Sequence, residues 1–253
     1  QPNKARTMSW MRTLLGGGVG LMLGGPIGAV LGAVLANRIG GGGGALGQLE
    51  QKQSVFFTAT FAMFGQLSKA DGQVSASEIA LVERVMRENL RLDSKARALA
   101  IQIFNEAKDG KAGFMDYAEQ FHGAFASQPQ MLAMLMELLT MLAFADGELH
   151  PEEDRLLSEA ARLFGCESTY ASLKAKVRGV ETVPLETHYE TLGCTPGMTL
   201  AEVKRAYRRL AMKHHPDRVQ ADGLPPELLE AAEARFKDIQ NAFDAVEKAL
   251  KAS

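Results

Sequence analysis

The sequence predicts an all-α chain: a single transmembrane helix, a helical domain with an internal repeat, and a C-terminal helical hairpin. Three observations predict it. An uncharged run from Leu14 to Ala36 is long enough to cross a hydrocarbon core of about 30 Å as one helix. Two stretches offset by 75 residues repeat one turn motif between apolar helical patterns. Near the carboxyl end, apolar residues recur at three- and four-residue steps on both sides of His215-Pro216-Asp217. With 253 residues, 46% hydrophobic and 23% charged, the chain has room for one modest core and one small helical module.

Residues 1–13 form an N-terminal tail. The sequence opens on Gln1 rather than Met, which makes Met8 a candidate start and residues 1–7 an upstream remnant. The transmembrane helix is expected over residues 14–36, where the apolar region exceeds the roughly 7–15 residues of a cleaved signal peptide. Gly16, Gly20, Gly24, Gly28 and Gly32 fall at four-residue steps along one ridge, where two backbones can approach closely. That ridge predicts a homodimer through the membrane helix. Pro26 is tolerable there because neighbours or waters can satisfy the freed carbonyl. Lys4, Arg6 and Arg12 precede the span while Arg38 and Lys52 follow it, so loop charge does not fix the orientation. Residues 37–53 hold Gly40 to Gly44 and Gly47, a glycine-rich linker expected to act as a loose tether.

The repeat lies in a helical domain expected over residues 54–178. Ala70-Asp71-Gly72 matches Ala145-Asp146-Gly147, Ser75 matches His150, Glu78 matches Glu153, and Val82 matches Leu157. Ser75 with Glu78 forms a capping-box pattern, and Pro151 with Glu153 does similar work, so each motif should end one helix and start another. The symmetric acids Asp71, Glu78, Asp146 and Glu153 are also a candidate divalent-metal set. They are not an EF-hand, because Leu67 and Lys69, and then Leu142 and Phe144, stand where its first two acidic ligands belong. Turn and cap roles account for the same residues without a metal. Met131, Met134, Met136 and Met141 form either an adaptable apolar surface for clients or core filling.

A short linker, residues 179–186, leads to the hairpin of residues 187–253. Val203, Ala206, Tyr207, Leu210, Ala211 and His214 mark the buried stripe of its first long helix. The other face is basic, with Lys204, Arg205, Arg208, Arg209 and Lys213. Thr199 is the expected N-cap and Glu202 a first-turn anion suited to the helix dipole. Pro216 disfavours helical geometry at His215, which ends that helix. A polar loop should follow, and Pro225-Pro226-Glu227 should start the second helix. Its seam is Leu229, Ala232, Phe236, Ile239, Phe243, Val246 and Leu250. The two helices then hold His215, Pro216 and Asp217 at an exposed tip suited to docking.

Other chemistries are disfavoured. A net charge of −2 argues against nucleic acid, whose binders carry a broad basic surface. Cys166 and Cys194 make no C-x-x-C pair, which gives neither a zinc site nor a disulfide framework, and no cofactor is expected. His122, His150, His188, His214 and His215 have no nucleophile at motif spacing, and no phosphate-cradling loop occurs, so the chain reads as a non-enzyme.

The strings H-Y-E-T-L-G at 188–193, V-K-R-A-Y-R-R-L-A-M-K-H-H-P-D-R at 203–218 and F-K-D-I-Q-N-A-F at 236–243 closely resemble J-domains of the DnaJ family. The resemblance implies that His215, Pro216 and Asp217, with Lys204, Arg205, Arg208, Arg209 and Lys213, bind an ATP-bound DnaK-type chaperone and stimulate its ATP hydrolysis. The zinc-binding cysteine repeats of full-length DnaJ are absent, and no Gly/Phe-rich linker follows. The repeat, in K-A-D-G-Q-V-S-A-S-E and F-A-D-G-E-L-H-P-E-E, resembles the TerB-like domain of tellurite-resistance proteins. Anchor, TerB-like domain and C-terminal J-domain in this order resemble the membrane-anchored DnaJ-like co-chaperones of Gram-negative bacteria. That implies a single-pass protein of the bacterial inner membrane whose C-terminal domains face the cytoplasm. The short linker before the J-domain departs from the pattern. The alternatives are a J-protein of a protein-import motor, which the repeat disfavours, and a metal-responsive TerB-like scaffold with a subordinate J-domain.

Overall fold

The apolar periodicity resolves into helices wherever the chain is described, in a computed structural model of residues 24–36, 47–70, 76–88, 90–144, 148–177 and 185–252. The larger unit is built around α2, Gln48–Leu67, which is buried without interruption from Gln53 to Gly65. A helix covered on all sides needs apolar residues all round, and the run of phenylalanines supplies them. The Phe56 ring meets Phe121 at 5.4 Å and Phe125 at 6.0 Å, both edge-on. Its buried hydroxyls return to the helix's own carbonyls: Thr60 Oγ1 donates to Phe56 O at 2.8 Å, so no polar group is stranded. The helix starts at Gln48, inside the expected linker.

Around α2 pack α1, Gly25–Ala36, α4, Ser94–Asp109, α5, Phe114–Phe125, and α6, Pro129–Ala143, while α3, Ala76–Glu88, leans on α4. Gly65 lets α2 and α4 touch. A Cβ there would stand 2.5 Å from the backbone oxygen of Phe104.

The described part of the expected transmembrane helix is α1, and it belongs to this core. Ile27, Val30, Leu31 and Val34 are buried in it. Gly24 and Gly25, at the start of α1, have φ of +55° and +61°, outside the right-handed helical region. Gln120 caps the start, accepting from Ile27 N at 2.8 Å and donating to Gly24 O at 2.9 Å. Twelve residues span about 18 Å, short of a hydrocarbon core. Among the described residues no helix is long and apolar enough to cross a membrane. Of the glycine ridge, Gly28 is buried and Gly32 half-buried, while Gly16 and Gly20 lie outside the described residues.

The repeat appears as two matching pairs, α2 with α3 and α6 with α7, Pro151–Phe164. Asp71, Gly72, Ser75, Asp146 and Gly147 lie outside the described residues, as does the side chain of Glu78 on α3. Glu153 is described, and its carboxylate Oε2 accepts from the backbone N–H of His150 at 3.1 Å with Pro151 at the first position, as a helix cap. Among the described residues no acid, histidine and cysteine cluster could hold a metal ion. Met131, Met134 and Met136 are buried and Met141 half-buried, so they fill the core.

After α8, Glu167–Val177, the hairpin comprises α9, Leu185–Thr191, α10, Leu200–Lys213, α11, Pro216–Asp222, a 3-10 turn, Pro226–Leu228, and α12, Leu229–Ala252. Its own small core holds Tyr189, Leu192, Val203, Ala206, Ile239, Ala242 and Val246, with the Tyr207 and Phe243 rings stacked at 4.4 Å. Two findings differ from expectation. The polar loop after the tripeptide is the short helix α11, with Pro216 at its first position and Gly223 at its end. The expected seam also divides: Ile239 and Val246 face the hairpin core, whereas Ala232 joins Val219, Leu224 and Leu228 in the core of the larger unit.

Candidate docking site on the hairpin

The basic helix α10 begins as its sequence requires. Thr199 Oγ1 accepts from the Glu202 backbone N–H at 3.4 Å, and Glu202 Oε2 accepts from the Thr199 N–H at 2.8 Å. Thr199 Oγ1 also donates to Glu202 Oε2 at 2.7 Å, and this bond, followed by the one from the Thr199 backbone N–H, holds the Glu202 carboxyl below the usual carboxylate range. The helix ends at His214, and His215 steps out to φ −60°, ψ 132°, the extended geometry that a following proline favours.

The tip is open. The side chain of His215 is 52% exposed and that of Asp217 91%, so both face solvent. The imidazole is nonetheless oriented. Its Nδ1 accepts from the Asp217 backbone N–H at 3.3 Å and lies 3.8 Å from Asp217 Oδ2, and its ring meets Phe236 edge-on with centroids 5.6 Å apart. The tip therefore holds an imidazole and a carboxylate side by side, both exposed.

Arg205, Arg208, Arg209 and Lys213 are exposed beside it, a cationic face for an anionic partner surface. Lys204 is placed differently: its Nζ pairs with Glu247 Oε1 of α12 at 3.0 Å and ties the hairpin's two long helices. That hydrogen bond, with a second from Lys251, keeps the Glu247 carboxyl low.

An open concavity of about 720 Å³ adjoins the tip, lined by Arg208, Ala211, Met212, His215, Arg218 and Phe236 among others. Met212 is 66% exposed there, a large apolar side chain with no cover. The sequence does not single out Met212 or Arg218. The signal available is spacing, since Arg208, Met212 and His215 follow one another at steps of four and three along one helix face.

Next to this open tip, His214 is buried. Burial, then the charges of Arg235 and Lys213, push its imidazole down to about 4. The cysteines offer no nucleophile: burial pushes the Cys166 thiol up to about 12, and raises Cys194 as well.

Comparison with known proteins agrees with both units. The family model for tellurite resistance protein TerB matches residues 57–174, and the DnaJ domain model matches residues 187–251. The chain is 34% identical over 220 residues to the co-chaperone protein DjlA of Shewanella oneidensis, covering 81% of this chain and 84% of that one. It is 32% identical over 234 residues to the DjlA of Photobacterium profundum, covering 83% and 84%. With the DjlA of Coxiella burnetii identity is 31% over 219 residues, covering 81% of each. No solved structure matches the chain.

Proposed function

This chain belongs to the DjlA family of co-chaperones, and from that premise we propose that its J-domain tip recruits a DnaK-type chaperone and stimulates its ATP hydrolysis. The observation that carries the reading is the open tip itself, with His215 and Asp217 exposed and oriented beside Arg205, Arg208, Arg209 and Lys213. The chemistry belongs to the partner. This chain supplies complementary charge and an oriented tip, which speed encounter and set register.

Attachment to the bacterial inner membrane, with the C-terminal units in the cytoplasm, completes the proposal. It is supported by the uncharged run of residues 14–36, and the glycine ridge from Gly16 to Gly32 supports self-association there.

Single-turnover ATP hydrolysis by a DnaK-type chaperone tests the reading, with the full chain and its His215→Gln and Asp217→Asn variants. The wild-type chain accelerates hydrolysis and both variants lose most of the acceleration with unchanged helical content. Equal acceleration by wild type and variants would remove the tip from the mechanism.

A further inference from the structure

The docking tip has a second face, and that face is held. α11 lies against α2 and α6 of the TerB-like domain. Val219 is 1% exposed, Leu224 0%, Leu228 1% and Ala232 2%, all within the larger unit's core. Gly223, at φ +122°, passes so close that a Cβ would stand 2.7 Å from Lys52 Cβ and 3.4 Å from the Phe125 ring. Two polar contacts fix the register. Gln130 Nε2 donates to Asp222 Oδ2 at 2.8 Å, and Arg235 Nε meets Glu137 Oε1 at 2.8 Å, with side chains only 13% and 11% exposed. His215 and Asp217 stay exposed.

We infer that the TerB-like domain clamps the J-domain behind its tip, and that Glu137 and Arg235 are positioning residues for chaperone docking. The inference rests on the co-chaperone reading above. A free segment loses conformational freedom when a partner orders it, whereas a clamped one has lost it already. The clamp therefore strengthens docking without changing the maximal rate, which is set inside the partner.

The full chain is compared with Glu137→Arg, Arg235→Glu and the double reversal, by amide hydrogen exchange and by titrating stimulated ATP hydrolysis. In Glu137→Arg, exchange protection of residues 216–228 falls while that of α4 is kept. The concentration for half-maximal stimulation rises about three- to tenfold at unchanged maximal stimulation, and the double reversal restores both. Should Glu137→Arg not fold, Glu137→Gln is read the same way. Protection lost with half-maximal concentration unchanged or lowered overturns the clamp as a positioning device. Unchanged protection overturns the clamp itself. Absence of any stimulation by wild type, with protection of 216–228 intact, overturns the co-chaperone reading instead.

Discussion

His214 and His215 are adjacent in sequence and opposite in circumstance. One is sealed beneath the tip, the other displayed on it. Because burial lowers the folded-state pKa of His214 to about 4 while the unfolded chain keeps the ordinary value of 6.5, the unfolded state binds the extra proton first. The stability contributed is fully present above pH 6.5 and is lost as pH falls towards 4. Urea unfolding should therefore show the chain weaker by ~2 kcal/mol at about pH 5 than at about pH 7. His214→Gln should flatten that window. Neither Glu202 nor Glu247 contributes to it, since their lowered carboxyl pKa values place their losses below 4.5. His214 was legible as an apolar-face position from its three- and four-residue spacing. Its acid sensitivity was not, because Arg235, which adds to it, lies on another helix.

At the scale of elements, periodicity reads well where a helix is long and one-sided. α10, α12 and the helices of the repeat occupy the stretches that their apolar spacing marks. It reads poorly at both extremes of length and pattern. α11 has seven residues, too few to display a period, so its polar sequence resembles a loop. α1 is apolar on nearly every side, and such a segment suits a protein core as well as a bilayer. Nothing local in the sequence marks where two helices must touch backbone to backbone. Gly65 is such a place, and Gly65→Ala should cost ~1–3 kcal/mol by urea unfolding, since the Phe104 carbonyl it meets cannot rotate away. Stimulation of the chaperone should survive at temperatures where the variant stays folded.

For the whole molecule, the proposed attachment would give the uncharged run two duties. Its second half, α1, supplies four buried side chains to the TerB-like domain, so removing the run entirely would damage the fold along with the attachment. Removing residues 1–23 alone separates the two. The full chain should resist alkaline carbonate extraction from membranes, whereas the shortened chain should be released and melt at the same temperature as the full chain in detergent. A shortened chain that stays in the membrane pellet would place the anchor elsewhere.

Gly223 sets a further condition on how this protein can be rebuilt. Its backbone angle and its nearness to Lys52 each forbid a side chain, for independent reasons. A transplanted hairpin with any other residue at this position would therefore carry its tip onto a seat it does not fit. Chimeras should succeed only when the exchanged segment keeps glycine at this position, which makes the C-terminal module interchangeable in function but not in fit.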